Sequence, residues 1–395
     1  MTKGEKGQDN SGIAREIMME FADHTGLLSP ARTPRRYLWT DAFAVCNFLG
    51  LYLQTNDASY RNLALRLVDQ VHNILGRHRE DDSRSGWISG LDEEKGRTHP
   101  TIGGLRIGKG LNERKPSEPF DERLEWDRDG QYFHYLTKWM HALNCAGRVT
   151  GDPRYNVWAM ELAKTAHARF TYVPVSGRGK LMYWKMSIDL SYPLVASMGH
   201  HDPLDGLVTY CQLRAATDRG PKELLRPDLS SEIADMTAIC QGKSWTTDDP
   251  LGIGDLLCNA AKVTQLIVEG AFEQTGLLAA ILDSSLLGLD AYSRENPTEL
   301  PVDYRLAFRE LGLSIGLHAV EKMQGLFEYN QGLSENKDLL RTTIRALARF
   351  KPLRGAIESF WRGPGSRKAQ SWIAHREINM VMLATSLAPD AYLTL

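Results

Sequence analysis

The stretch LYLQTNDASYRNLAL at residues 51–65 recurs in outline as AGRVTGDPRYNVWAM at residues 146–160. In each copy an apolar helix runs into a polar turn, and a second helix starts a few residues later. Asp57 and Asp152 hold the same place in the two copies, where a short carboxylate can accept the free backbone N–H groups of the following helix. Pro153 suits the first helical position, which needs no N–H. Two copies of one helical hairpin predict a fold that is built by repetition.

Apolar residues recur with helical spacing along most of the chain, and sustained strand-like alternation is almost absent. We therefore expect an all-α protein with few, short strands, one of them in a small hairpin around 177–179. A short helix is predicted near 13–24, followed by six helical hairpins, at 38–54 with 58–77, 130–148 with 153–169, 203–217 with 229–240, 254–270 with 274–290, 303–327 with 335–349, and 352–361 with 369–387.

The connections between hairpins are much longer than the turns that follow residues 54 and 148. In an up-and-down ring of helices every second connection falls at the same end, so the long ones should gather on one face. Long loops on a rigid scaffold commonly carry a binding site. We call this end the long-loop face, and its connections are 79–129, 170–202, 241–253, 291–302 and 362–368.

Composition excludes several classes of function. The chain has 395 residues, a formal net charge of −2 and 42% hydrophobic residues, so no global field favours nucleic acid or an anionic membrane. The first twelve residues lack an apolar core, and we see no run of roughly 20 apolar residues, which predicts a cytoplasmic protein without a membrane span. The five cysteines form no CxxC pair and are expected to be reduced, and we expect no metal and no cofactor.

The segment from Trp39-Thr40-Asp41-Ala42-Phe43 through Tyr52 and Thr55-Asn56-Asp57 to Tyr60 resembles a hairpin of the six-hairpin glycosidase superfamily. That superfamily includes unsaturated glucuronyl hydrolases, other glycoside hydrolases, and the N-acylglucosamine and cellobiose 2-epimerases. The resemblance implies an (α/α)6 toroid over residues 31–395, preceded by a polar tail and short helix at 1–30. It also implies a small saccharide substrate, held in a funnel where the inner helices begin, which here is the long-loop face.

Residues predicted on that face combine aromatic rings, which can stack on sugar rings, with carboxylates and histidines that can bind hydroxyl groups. Asp41, Asp202 and Asp255 have a simpler interpretation as helix caps, because each lies near a predicted helix start. The glycine-rich segment 103–110 lacks a phosphate-binding motif and is interpreted as a mobile basic loop that could act as a lid. The predicted substrate-binding residues are Trp39, Glu125, Trp126, Asp129, Tyr132, Trp184, His200, Trp245 and Glu377.

Three functions remain open from the sequence. A glycoside hydrolase needs a proton donor and a second carboxylate, for which Asp127 beside Trp126 and Asp41 are the candidates. A sugar 2-epimerase needs two bases, for which His201 and His375 are the candidates. The third is a catalytically inactive toroid that binds a saccharide or a protein.

Overall fold

The computed structural model describes residues 10–29, 33–177, 179–219, 227–329 and 337–395. Helices account for most of this part of the chain. They are α1 (Asn10–His24), α2 (Leu38–Thr55), α3 (Ala58–Leu75), α4 (Glu93–Thr98), α5 (Glu122–Asp127), α6 (Phe133–Thr150), α7 (Arg154–Phe170), α8 (Asp202–Asp218), α9 (Ser230–Cys240), α10 (Pro250–Val268), α11 (Thr275–Arg294), α12 (Ala307–Tyr329), α13 (Lys337–Ala348), α14 (Lys351–Arg362), α15 (Gln370–Ile373), α16 (Arg376–Leu387) and α17 (Asp390–Leu393), with 3-10 turns at Pro297–Glu299, Val302–Tyr304 and Ser366–Lys368.

Six of these helices form a closed inner ring. Each packs on the next in the order α2, α6, α8, α10, α12 and α16, and α16 packs on α2 again. The remaining long helices, α1, α3, α7, α9, α11, α13 and α14, form an outer layer against them. The predicted (α/α)6 toroid of helical hairpins is therefore confirmed. The inner and outer helices share one continuous hydrophobic core.

The two repeated turns have the same hydrogen bonds. Asp57 accepts from the backbone N–H two residues later at 2.9 Å, and Asp152 does so at 3.0 Å. The threonine hydroxyls at Thr55 and Thr150 each bond a carbonyl one turn back at 2.7 Å. The residue after each threonine has a positive φ, 56° at Asn56 and 74° at Gly151. The sequence repeat is thus a structural repeat.

The helix α1 belongs to the outer layer of the toroid. It packs on α16 and α2, and its buried side chains, among them Ile17, Met18 and Phe21, enter the shared core. The sequence placed this helix in a separate segment before the toroid, because one short amphipathic helix carries no signal of the distant partner that it covers. The amino-terminal and carboxy-terminal parts of the described chain therefore meet in one hairpin-like pair.

Short strands and loops build the rim of the long-loop face. The expected hairpin exists, since β2 (Thr171–Tyr172) pairs with β3 (Leu181–Met182). A second small sheet has the order β1 (Gln131–Tyr132), β4 (Lys185–Met186) and β5 (Pro193–Val195), all antiparallel. The interpretation of 103–110 as a mobile lid is wrong. Leu105 and Ile107 are fully buried, and these apolar side chains hold the segment against the helices.

The ring is closed at its other end by the segment that contains α17. The Tyr392 ring stacks on Phe43 with their centroids 4.5 Å apart, and the Tyr392 carbonyl oxygen lies 2.9 Å from His141 Nε2. The Leu393 carbonyl accepts one from Gln265. These contacts with three inner helices make α17 the floor of the central space.

One inner helix has the length and composition of a membrane span. Within the described part of the chain, α10 alone is long and apolar enough to cross a membrane. It lies between α8 and α12 in the ring, and α11 covers its outer side. A buried core helix has the same composition, and the packing of α10 is of that kind.

The helices α10 and α12 approach each other most closely at glycines. A Cβ atom on Gly316 would lie 2.6 Å from the Gly254 Cα, whereas a Cβ atom on Gly325, in the same helix, would meet nothing within 4 Å. We expect Gly316→Ala to lower the free energy of unfolding by about 1–3 kcal/mol, because two helix backbones would have to separate. Gly325→Ala should raise it by about 0.5–1 kcal/mol, because alanine favours the helix.

Denaturant unfolding of the two variants at one pH measures this contrast. Equal effects of the two substitutions would show that the helices do not meet at Gly316.

Candidate active site

A cavity of about 340 Å³ lies inside the ring, above the floor that α17 forms. It opens where the inner helices begin, which is the long-loop face. Its walls combine aromatic rings, histidines and an unusual number of acidic side chains. The principal lining residues are Trp39, His134, Lys138, Trp184, His200, His201, Asp202, Asp205, Asp249, Asp255 and Tyr392.

A buried lysine organises the acidic wall. Lys138 Nζ on α6 lies 3.2 Å from Asp205 Oδ2 on α8 and 2.5 Å from Asp255 Oδ1 on α10. Asn259 donates a further hydrogen bond of 2.6 Å to Asp205 Oδ1. One cation therefore holds two carboxylates that come from two other inner helices.

The two carboxylates differ in charge. Burial, and then the neighbouring Asp255, raise the pKa of Asp205 to about 7. Burial also opposes ionisation of Asp255, but Lys138 and the hydrogen bond with Asp205 outweigh it, and the pKa of Asp255 falls below its usual range. Because the two groups interact, they titrate as a pair, with Asp255 holding the negative charge at neutral pH.

Asp202 is a third carboxyl in the same wall, and it has no cation of its own. Burial, followed by the charge of Asp205, raises its pKa well above the usual range. Among the described residues, its Oδ2 atom has no hydrogen-bond partner. Gly199 faces it, and a Cβ atom there would lie 2.4 Å from the carboxyl group. Asp202 is thus a buried acid whose raised pKa favours the protonated form, and its free oxygen belongs to the cavity wall.

Two histidines beside these acids are neutral. His134 Nδ1 lies 3.6 Å from Asp202 Oδ1, and burial followed by Lys138 lowers the pKa of His134 to about 3. His201 Nε2 lies 2.9 Å from the Trp245 carbonyl. Since a carbonyl only accepts, Nε2 carries the proton and Nδ1 keeps its lone pair. Burial lowers the pKa of His201 as well.

Four of the predicted site residues meet in this cavity, namely Trp39, Trp184, His200 and His201. Trp245 is buried behind it and contributes its carbonyl to His201. Tyr132 is also buried, with its ring centroid 5.3 Å from that of Trp184. These last two side chains support the wall.

Three predicted residues line a different cavity. Asp41, His375 and Glu377 lie in a neighbouring pocket of about 310 Å³. There Asp41 accepts a hydrogen bond from the backbone N–H of Tyr37, and Arg36 lies 3.4 Å from its carboxylate. Burial, opposed by Arg36, raises the pKa of Asp41 to about 6. The expectation that His201 and His375 face one space is wrong, because His201 lines the central cavity whereas His375 lines the neighbouring pocket.

Two predicted acids are held by internal ion pairs. Glu125 is buried and pairs with Lys185 at 2.8 Å and with Arg114 at 3.1 Å. Asp129 is fully buried, pairs with Arg106 at 2.9 Å and accepts the backbone N–H of Gly108. Their oxygens fix the rim loops to one another, so these carboxylates are occupied in the fold.

The predicted acid Asp127 lies at the end of α5 and is exposed. It does not appear in the wall of either cavity. Its neighbour Trp126 is 51% exposed, and the Trp126 ring meets the Trp184 ring edge-on, with the centroids 5.5 Å apart. Trp126 therefore stands at the rim of the central cavity, outside the acidic wall.

Lys138 was not identified as a site residue from the sequence. Asp202 and Asp255 were named but were not assigned a role in the site. The interpretation of Asp202 as a helix cap is wrong, since it makes no capping bond. Asp255 lies inside α10 and pairs with Lys138. One signal was present, because His134 and Lys138 are four residues apart and so share one helix face. The partners on other helices left no trace in the sequence.

The fold is similar to that of one solved structure with a TM-score above 0.5. The GH76 α-mannanase of Bacteroides thetaiotaomicron has 9% sequence identity and a TM-score of 0.54, over 97% of each chain. A cellobiose 2-epimerase of Spirochaeta thermophila has 14% identity and a TM-score of 0.46, over 85% of this chain and 84% of the other. A D-mannose isomerase has 13% identity and a TM-score of 0.46, over 88% and 87%. Comparison with protein-family models gives no match, and neither does comparison with curated proteins.

The neutral state of Asp202 predicts an unusual pH dependence of stability. A carboxyl whose pKa is higher in the folded than in the unfolded state destabilises the fold as pH rises from about 4 through the folded pKa. Asp202→Asn removes this effect and keeps the shape. We expect the variant to gain stability over the wild type by roughly 1–3 kcal/mol at pH 7.5, and by much less at pH 4.5.

Asp152→Asn is the matched control of opposite sign. The hydrogen bond with Arg154 lowers the pKa of Asp152, so this variant should lose stability at pH 7.5 and lose less near pH 3. Denaturant unfolding at each pH gives both differences. A loss of stability in Asp202→Asn at pH 7.5 would mean that the folded protein ionises Asp202.

Proposed function

We propose that this protein is a glycoside hydrolase that acts on a small saccharide. One observation carries the proposal, which is that two carboxyl groups, Asp202 with a raised pKa and Asp255 with a lowered pKa, share a cavity with aromatic walls. Two acids whose surroundings separate their pKa values are the pair that glycoside hydrolysis requires.

The two carboxyl groups have distinct parts in this reaction. Asp202 donates its proton to the glycosidic oxygen as the leaving group departs. Asp255 acts as the negative partner, toward the anomeric carbon or the attacking water. Lys138 keeps Asp255 ionised, and the shared hydrogen bond of Asp205 with Asp255 adds to this. The proposed catalytic pair is thus Asp202 and Asp255, in place of Asp127 and Asp41 that the sequence analysis proposed.

The substrate follows from the rest of the wall. The Trp39 and Trp184 side chains offer ring faces for a sugar, and the histidines and Asp249 offer polar atoms for its hydroxyl groups. Trp126 at the rim would take the next sugar unit. The mannanase with the similar fold is named for a glycan-cleaving activity, which agrees with this class. No cofactor enters this chemistry.

The location that we propose is the cytoplasm. All five cysteines are free and buried, although the chain holds enough of them for two disulfide bonds. Free thiols are typical of proteins in a reducing compartment.

A second candidate, a sugar 2-epimerase, rests on the pair His134 and His201. Both line the central cavity, and burial lowers the pKa of both, so each has a free ring nitrogen at physiological pH, with His134 the weaker base. His134 takes the place that the sequence analysis gave to His375.

The test compares turnover of aryl glycosides and of reducing disaccharides by the wild type and four variants. We expect Asp202→Asn and Asp255→Asn to lower kcat by a factor of about 10² to 10⁴, because each removes one acid–base partner. Asp127→Asn and the distant cap variant Asp152→Asn should keep near wild-type turnover. The wild-type rate should fall as pH rises through the pKa of Asp202.

Other outcomes assign the function differently. If His134→Gln and His201→Gln abolish sugar isomer exchange while Asp202→Asn retains it, the protein is an epimerase. Loss of glycoside turnover in Asp127→Asn alone would identify Asp127, at the rim, as the general acid. Absence of any turnover by the wild type would favour the binding protein.

A further inference from the structure

A second cluster of reactive side chains lies in the inner ring, beside the floor segment. It consists of Cys46 on α2 with His141 and Cys145 on α6. The two thiol sulfurs and a ring nitrogen lie within 4.8 Å of one another, and all three residues are buried. The proposed hydrolysis uses none of them. Because the two α6 residues are four positions apart, they project from one helix face toward α2.

A chain of side-chain amides fixes the proton on His141. Asn156 donates to the Leu213 carbonyl at 3.3 Å, so its oxygen faces Asn144 and accepts from it at 2.8 Å. The Asn144 oxygen then accepts from Gln212 at 2.7 Å. This leaves the Gln212 oxygen 3.0 Å from His141 Nδ1, so in a neutral ring the proton belongs on Nδ1.

The other ring nitrogen then faces atoms that also carry lone pairs. His141 Nε2 lies 2.9 Å from the Tyr392 carbonyl oxygen and 3.7 Å from Cys145 Sγ. The Cys145 thiol donates to the Ala391 carbonyl across 3.6 Å, and Arg148 donates to the same sulfur across 3.9 Å. A neutral imidazole with its proton on Nδ1 has no hydrogen to offer the Tyr392 carbonyl. Electron-pair donors that converge in a dry interior form a place for a cation.

The spacing agrees with a tetrahedral metal ion. Bond lengths of about 2.3 Å to sulfur and about 2.1 Å to nitrogen or oxygen place neighbouring ligand atoms about 3.6 Å apart. The contacts of Cys145 Sγ with His141 Nε2 and with the Ala391 oxygen, 3.7 and 3.6 Å, match this edge. The amide chain behind Nδ1 is the kind of outer support that orients a metal-binding histidine.

We propose that Cys46, Cys145 and His141 bind a zinc ion, with a backbone carbonyl of the floor segment as the fourth ligand. Binding releases the two thiol protons to solvent, so Zn²⁺ and two thiolates give a neutral site that suits burial. The site is closed and has a structural role. It joins α2, α6 and α17, and so fixes the floor whose Tyr392 ring lines the cavity.

The experiment measures zinc in the full-length protein purified from zinc-supplemented culture. We expect about one zinc ion per chain in the wild type, and almost none in Cys46→Ser or Cys145→Ser. Cys211→Ser and Cys240→Ser are the matched controls, since both alter buried cysteines outside the cluster, and they should keep the ion. Refolding the wild type with Co²⁺ should give thiolate-to-cobalt absorption that zinc removes.

Refolding of the wild type with and without a chelator keeps the test decisive if the serine variants fail to fold. We expect a lower melting temperature in the chelated protein, restored by Zn²⁺ alone. A wild type that contains no zinc and refolds identically in both conditions overturns the proposal. So does a disulfide between Cys46 and Cys145 in the purified protein, because it would consume both ligands.

Discussion

The contact on which the site depends is the buried ammonium group of Lys138 between Asp205 and Asp255. These residues come from three different hairpins, and their helices are neighbours only because the ring closes. A lysine removed from water needs negative partners, and the buried Asp205 and the partly buried Asp255 need a cation. Each group therefore lowers the free-energy cost of burying the others, and removal of one would leave uncompensated charge inside the ring.

That contact also divides the acids by charge. Asp255 forms an ion pair with the ammonium group, which lowers its pKa, whereas Asp202 forms no ion pair with Lys138 and burial raises its pKa. The same burial acts on both, so the position of one lysine decides which carboxyl can donate a proton. A fold that repeats one hairpin thus acquires an asymmetric site through a single side chain.

The outer parts of the molecule have a different part in the architecture. In the rim loops the acidic side chains Glu125 and Asp129 form internal ion pairs, whereas the aromatic ring of Trp126 is exposed to solvent. The floor is closed by α17, which contacts several inner helices through its backbone carbonyls. Walls, rim and floor therefore come from chain segments far apart in sequence, and the cavity exists only when all of them are in place.

Sequence alone determined the elements that depend on local chemistry. The turns at Thr55-Asn56-Asp57 and Thr150-Gly151-Asp152 follow from capping and left-handed backbone, and helical periodicity gave the hairpins and the face of the site. Trp39, Trp184, His200 and His201 were predicted for the site because residues near the inner-helix starts and in the long loops between hairpins share one end of the ring.

Only the tertiary structure decided which acid faces which cation. Four features depend on contacts between distant segments. They are the ion pairs of Lys138, the separation of His201 and His375 into two cavities, the packing of α1 on α16 and α2, and the contact of Cys46 with Cys145. Local sequence patterns do not predict such contacts, because burial and charge act between helices only after the chain has folded.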